Sequence, residues 1–472
     1  MKNIINSLSR ISKTKSCILV LVIALTVRIF IIVFISTKSV SADETGYHQI
    51  AYNISEGNGY SLKAGEQYYF REPAYPVFLS LVFDISKLFG NKLEPLSFEI
   101  NKKNDDKYAI LNNAPEITIG RYLQAILDSF VCVLFFLMLS SILKQKYALL
   151  ISILFSMYYS HAYNIVYLVR EPLQTFFAIL MCYSLMLYFN YNKLKYIVLT
   201  GLFWALLNLT FQVSIIFMVS IPVFIWIYKR NFVHAIKPSL ILVLVMFLTA
   251  SPWLIRTYSS FPDLRILKSF GTSLTPEYIS YIGAAKKLTF YGLIDNDKEN
   301  SLDGYFLGAS EAQKFRVSWD GTLSRKTDSI NSLIHEPLIS KRSIVNTALS
   351  IKNCMPQTFA GPYITEKPLL AVMLFLPLLL LCLFAVIGIV KFFPDFFKIN
   401  IIFITYLSVF FILATEKRRM FPIQPFVFLY GIMGILYFYY RYIKKNENKS
   451  IKEIFFIDEP SLKLSREKII ER

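Results

Sequence analysis

The sequence is poor in charge. Asp, Glu, Lys and Arg make up 17% of its 472 residues, against about 25% in an ordinary soluble domain. Histidine is scarce, with four in the chain, and the five cysteines are scattered with no Cys-x-x-Cys pair. That spacing argues against a zinc site or a redox pair. Cys17, Cys132, Cys182 and Cys382 lie inside apolar runs and Cys354 in a polar stretch, so the thiols read as small buried apolar groups. There is no internal repeat with a period of about 20–50 residues, and no inverted pair of Gly/Pro-broken helices of the kind many transporters carry. Apolar surface is what the chain has in quantity. Hydrophobic residues reach 55% and aromatics 16%, with 30 Tyr and 41 Phe, and the mean hydropathy is +0.47. The length would suit roughly three soluble domains; the composition places much of the chain in lipid. Disordered, fibrous and disulfide-stapled secreted proteins are excluded.

A bilayer-crossing helix needs about 20 mostly apolar residues. Ten stretches are expected to cross: 17–36, 120–142, 147–165, 171–190, 194–210, 212–229, 237–257, 368–391, 399–415 and 420–441. The fold class expected is therefore a polytopic α-helical membrane protein. Lys2, Arg10, Lys13 and Lys15 precede the first span, and Lys144, Lys146, Lys193, Lys195, Lys229, Arg230, Lys237, Lys391 and Lys398 mark alternate junctions. Positive residues concentrate in cytoplasmic loops, so both termini are expected inside, and the segments 37–119 and 258–367 outside. The net charge of +18 then reports topology and not nucleic-acid binding. Residues 17–27 followed by Val40-Ser41-Ala42 also have the outline of a cleavable signal. The apolar run resumes after Arg28 as far as Ser36, which favours a retained span.

Polar residues collect on the outer face. Asp43-Glu44-Thr45-Gly46-Tyr47-His48 follows the first span. Two adjacent carboxylates beside an aromatic can supply a general base or hold a cation. As a purely structural feature, Asp43 would cap a helix running through Ile54, with Glu44 in its first turn. Arg71-Glu72-Pro73-Ala74-Tyr75-Pro76 then leads into an apolar stretch, Val77–Phe89, too short to span and suited to lying in the interface. That places Arg71 at phosphate depth, unless it merely pairs with Glu72. His161, Arg170-Glu171-Pro172, Gln212, Pro252-Trp253-Leu254-Ile255-Arg256 and Glu416-Lys417-Arg418-Arg419 are expected on the same face. Cations outside run against the usual charge asymmetry, and invite an anionic ligand or a headgroup anchor as the reason. Inside the membrane, Arg28 and Asp128 are each costly alone and are expected to pair. His161 and His335 have no ligand-like neighbour at a fixed spacing, so metal ligation by either is not expected.

The motifs resemble those of the GT-C superfamily of polyprenyl-phosphate-sugar-dependent glycosyltransferases, and most closely the family 39 type that includes protein O-mannosyltransferases and lipid A aminoarabinose transferases. Asp43-Glu44-Thr45-x-Tyr47, Arg71-Glu72-Pro73-x-Tyr75-Pro76, Arg121-x-x-Gln124, Pro252-Trp253-x-x-Arg256 and Glu416-x-Arg418-Arg419 carry the likeness, across about 17–260 and 368–442. The resemblance implies a GT-C transmembrane module at 1–257 with its catalytic first outer loop at 37–119. It further implies an outer segment at 258–367, C-terminal spans at 368–442 and a basic cytoplasmic tail at 443–472. It implies inverting transfer of a sugar from a polyprenyl-phosphate donor to an envelope lipid, glycan or protein in a bacterial inner membrane. Asp43 takes the part of general base, supported by Glu44. Arg71, Arg256, Arg418 and Arg419 are implied for the donor phosphate, with Glu171, Tyr47 and Glu72 in support. Aminoarabinose transferases read Glu-Lys-Pro where this chain has Arg-Glu-Pro, and carry Arg where it has Gly46. Oligosaccharyltransferase relatives hold a divalent cation between acids, which Asp43 and Glu171 would imitate; the nearer relatives need none, so no obligatory metal or other cofactor is expected.

Two other classes fit the outline. An O-antigen ligase or polymerase would rely on its large outer loop, here His335, Lys341 and Arg342. A transporter or flippase would rely on charges within spans, here Arg28 and Asp128.

Overall fold

The computed structural model describes residues 11–34, 42–62, 71–93, 98–101, 106–109, 114–260, 315–317, 323–325, 368–412, 422–444 and 451–457. Helix α1 (Lys13–Phe34) buries Val20, Ala24, Arg28 and Ile31, a spacing that keeps one stripe toward its neighbours. A short helix, α2 (Ala42–Ser55), follows, and then α3 (Ala74–Leu88) begins directly after Pro73. Two strands, β1 (Phe98–Asn101) and β2 (Asp106–Ala109), pair antiparallel before α4 (Pro115–Leu139). The bundle continues through α5 (Gln145–Ser156), the single turn α6 (Tyr159–Ala162) and a 3₁₀ turn (Tyr163–Val166). Next come α7 (Glu171–Tyr191), α8 (Leu194–Thr210), a second 3₁₀ turn (Gln212–Ile216), α9 (Phe217–Lys229) and α10 (Phe232–Ser260). Beyond the outer segment lie α11 (Pro368–Phe392), α12 (Asn400–Ile412) and α13 (Gln424–Phe438).

The chain is a polytopic helical membrane protein. Six described helices are long and apolar enough to cross a bilayer: Lys13–Phe34, Pro115–Leu139, Glu171–Tyr191, Gln212–Lys229, Phe232–Ser260 and Gln424–Ile443. A seventh is formed if Leu380–Phe392 and Pro394–Tyr406, which meet at 101°, are taken as one broken span. Gln145–Ser156 and Leu194–Thr210 are apolar but shorter. Each of the ten expected stretches coincides with a helix, yet the expected count is not reproduced. The clearest departure is 147–165. Its helix stops at Ser156, after which the chain turns through α6 and the 3₁₀ segment. Beyond the break Tyr158, Ala162, Tyr163, Ile165 and Val166 are all buried.

The main core runs through the bundle and is dense in Phe, Tyr, Leu and Ile. Close approach replaces bulk where α11 meets α13. A methyl at Gly388 or Gly434 would overlap the carbonyl of Tyr430 or Phe384, a small-residue contact typical of helices packed in lipid. A smaller cluster joins Tyr47 and Ala51 of α2, Tyr75, Leu79, Val82 and Phe83 of α3, and Ile117, Leu168 and Leu173. The other side of α3 leaves Val77, Leu81, Ile85 and Leu88 exposed. An apolar helix of 15 residues with one face on protein and the other open fits the interfacial placement expected for it.

The Arg28–Asp128 pair expected from the sequence is present. Both residues are fully buried, and Arg28 Nε donates to Asp128 Oδ2 at 2.7 Å. The same guanidinium reaches the carbonyls of Ala24 at 3.0 Å and Ser156 at 3.2 Å. His161, expected among the outer polar residues, belongs here instead. Its Nε2 stands 2.9 Å from Asp128 Oδ1 and its Nδ1 3.1 Å from Gln424 Oε1. The break after Ser156 drops His161 back into the bundle. α1, α4, α6 and α13 are thereby tied together by one polar network.

Of the expected tail at 443–472, residues 451–457 fold back on the bundle. A one-turn helix, α14 (Ile451–Phe455), brings Phe455 into full burial against Tyr147 and Tyr440. The Lys144 amide donates to Phe455 O at 2.8 Å, and Lys452 pairs with Asp395 at 2.7 Å. Between α10 and α11 the described residues form one antiparallel pair, β3 (Phe315–Val317) with β4 (Leu323–Arg325). His335, Lys341 and Arg342 lie outside the described residues.

Candidate active site

Helix α2 starts as the chain leaves α1, and its buried face carries Glu44, Tyr47, His48 and Ala51. These positions recur every three to four residues, which is one side of a helix. Asp43 is the second residue of α2, and its side chain lies outside the described residues. Glu44 is 1% exposed, and Oε1 accepts the Leu168 amide at 2.8 Å. The turn supplying that amide is held by the Arg121-x-x-Gln124 motif. Arg121 Nε donates to Val166 O at 2.7 Å, and Gln124 Nε2 donates to Ile165 O at 3.1 Å and Tyr167 O at 2.9 Å. The Tyr75 hydroxyl donates to Gln124 Oε1 at 2.8 Å. Burial, then the Glu44 carboxylate, Tyr47 and Glu171, push that hydroxyl well above the ordinary tyrosine range, so Tyr75 stays protonated and keeps donating.

Arg71 packs against Tyr47. Its guanidinium carbon sits 4.5 Å from the centre of the Tyr47 ring, a cation–π placement. Gly46 makes room for it, since a methyl there would come 2.9 Å from Arg71 Nε and Nη2. The Tyr60 hydroxyl donates to Arg71 O at 2.8 Å. Arg256 Nη2 donates to Tyr60 O at 3.3 Å and packs on the Tyr60 and Trp253 rings. Arg71 and Arg256, 185 positions apart by their numbers, are therefore linked through one tyrosine.

Glu72 is not the partner of Arg71. It is 4% exposed and binds Arg170, with Oε2 2.6 Å from Nη1. Its Oε1 accepts the Gln212 amide at 3.2 Å, and Arg170 stacks over Phe211 at 4.8 Å. Glu171 opens α7, where a negative side chain suits the helix N-terminus. Glu44, Tyr47, Arg71, Glu72, Glu171 and Arg256 are thus gathered around α2 and the turn before α3. Arg418 and Arg419 lie outside the described residues. Among the described residues no group of three or more His, Cys, Asp or Glu is placed to share a metal ion.

Sequence reasoning missed Arg170 as a partner of Glu72. A signal was present, because Arg-Glu-Pro occurs twice, at 71–73 and 170–172. It also did not pair His48 with Glu116, each 1% exposed and 3.8 Å apart, whose polar side-chain atoms make no hydrogen bond among the described residues. No periodicity or motif marks that pair.

No protein-family model matches the chain, and no curated protein is similar to it. Solved structures of the Archaeoglobus fulgidus oligosaccharyltransferase are similar at a low level. The apo crystal structure is 12% identical with a TM-score of 0.49, covering 92% of this chain and 51% of that one. The complex with an inhibitory peptide and a dolichol-phosphate gives 11%, 0.48, 92% and 52%, and the complex with Zn and sulfate 12%, 0.48, 89% and 49%. The chain spans about half the length of these proteins.

Proposed function

We propose that the protein is an inverting GT-C-type glycosyltransferase, moving a sugar from a polyprenyl-phosphate donor to an envelope acceptor on the non-cytoplasmic face. The observation that carries this reading is the gathering of acid and guanidinium groups at α2. The Glu44 carboxylate is held by the Leu168 amide, while Arg71 is seated on Tyr47 and Arg256 on Tyr60. Displacing a lipid phosphate from an anomeric carbon needs a base behind the acceptor and cations at the leaving group. Asp43 is the base, drawing the proton from the acceptor hydroxyl or amine as it attacks. Glu44 supports it, with Glu171 as a second acid. Arg71 and Arg256, joined by Arg418 and Arg419, hold the departing phosphate. Attack opposite that phosphate inverts the anomeric carbon. The exposed apolar face of α3 lies along the lipid tail.

Mass spectrometry of envelope glycans and glycoproteins tests this in a strain lacking the gene. The wild-type gene is expected to restore a sugar-bearing product and Asp43→Asn to leave it missing; restoration by Asp43→Asn would overturn the reading. No metal is required in this scheme, so transfer by the purified enzyme should persist in EDTA. Loss in EDTA with recovery on adding manganese or magnesium would replace Asp43 as sole activator with a cation site.

A further inference from the structure

Two copies of one tripeptide face each other at this site. Arg71-Glu72-Pro73 precedes α3 and Arg170-Glu171-Pro172 opens α7. The acid of the first copy binds the base of the second, Glu72 to Arg170, at 2.6 Å. We propose that Glu72 and Arg170 form a charge clamp that positions Arg71 for the phosphate of a polyprenyl lipid. The proposal rests on the functional reading above, in which Arg71 meets that phosphate.

Glu72 is a positioning residue and not a catalytic one. Its side chain is buried and both carboxylate oxygens are engaged, by Arg170 and by the Gln212 amide. Arg170 is itself seated on Phe211. The backbone beside Glu72 is held as well, by the Tyr60 hydroxyl on Arg71 O and by Pro73, whose ring fixes φ. With the main chain fixed on these sides, the Arg71 guanidinium is directed into the notch left by Gly46 and onto the Tyr47 ring. A buried ion pair is weak evidence for stability, since well-packed apolar residues often do as well. What charge adds here is a unique register between the turn before α3 and the start of α7. Loosening that register moves Arg71 without touching it.

The test uses the full-length protein in detergent, titrated with undecaprenyl phosphate and followed by native mass spectrometry, with phosphatidic acid as the competing phosphate lipid. Wild type is expected to prefer undecaprenyl phosphate. Glu72→Gln and Arg170→Gln should each weaken that binding by roughly tenfold, within the usual range of coupling between neighbouring sites, while Arg170→Lys retains most of it. The double change Glu72→Leu with Arg170→Met separates position from stability. It should keep the wild-type melting temperature and still bind weakly. Wild-type binding by that double variant, or by both single Gln variants, overturns the clamp alone. Wild type showing no preference over phosphatidic acid overturns the functional reading, and the clamp with it.

Discussion

The molecule buries charge in two places, and the two are built differently. Inside the bundle, Arg28, Asp128, His161 and Gln424 close on one another with help from the Ala24 and Ser156 carbonyls. Around α2, Glu44 accepts the Leu168 amide and Glu72 takes the Gln212 amide and Arg170, whereas Arg71 and Arg256 are seated on aromatic rings. A closed network spends its charge on itself and holds helices together. Guanidinium groups seated on ring faces are positioned by cation–π contact. The first arrangement suits a structural tie in lipid, and the second suits the site proposed for the donor phosphate.

Breaking the inner network should have the largest effect on stability. Asp128→Ala leaves Arg28 buried without its counter-charge, a loss of about 3–5 kcal/mol. Thermal unfolding and yield from membranes would show it, and a change below about 1 kcal/mol would mean that the pair is not the tie described.

Gly46→Ala sharpens the contrast from the outer side. Alanine is about 1 kcal/mol better than glycine within a helix, so the melting temperature should hold or rise. The added methyl meets the Arg71 guanidinium at 2.9 Å and should cut sugar transfer by roughly tenfold, the effect of about 1.4 kcal/mol on a barrier. A variant that is both stable and fully active would remove Arg71 from the mechanism.

The smallest effect is expected at Gln424. Replacing it with Leu deletes one hydrogen bond to His161, about 1 kcal/mol, and should lower the melting point slightly with transfer per folded molecule unchanged.

How much of this was legible differs between the two regions for a physical reason. Arg28 and Asp128 announced each other, because a lone charge of each sign in two apolar spans has few ways to be satisfied. His161 did not join them on paper, since the break after Ser156 falls inside a stretch expected to run as one span, 147–165. At the outer site the motifs marked Glu44, Tyr47, Arg71, Glu171 and Arg256, which the fold brings together. Pairing was another matter. Glu72 was read beside Arg71, its neighbour in sequence, but its partner lies 98 positions away, and only the repeated Arg-Glu-Pro hinted at it. Each of the ten apolar stretches overlaps a described helix, while hydropathy could not show that Gln145–Ser156 is short or that the chain bends by 101° between Leu380–Phe392 and Pro394–Tyr406.

The most direct measurement is sugar transfer per folded molecule for Glu44→Gln and Asp128→Asn side by side, with product by mass spectrometry and folded protein by thermal unfolding. Glu44→Gln should melt within about 2 °C of wild type, because an amide oxygen can still accept the Leu168 amide, and should lose transfer about tenfold, the effect of about 1.4 kcal/mol on a barrier, because the Asp43 base loses its support. Asp128→Asn should melt earlier yet transfer normally per folded molecule. An active Glu44→Gln beside a folded but inactive Asp128→Asn would contradict the assignment, and would move the function into the membrane interior.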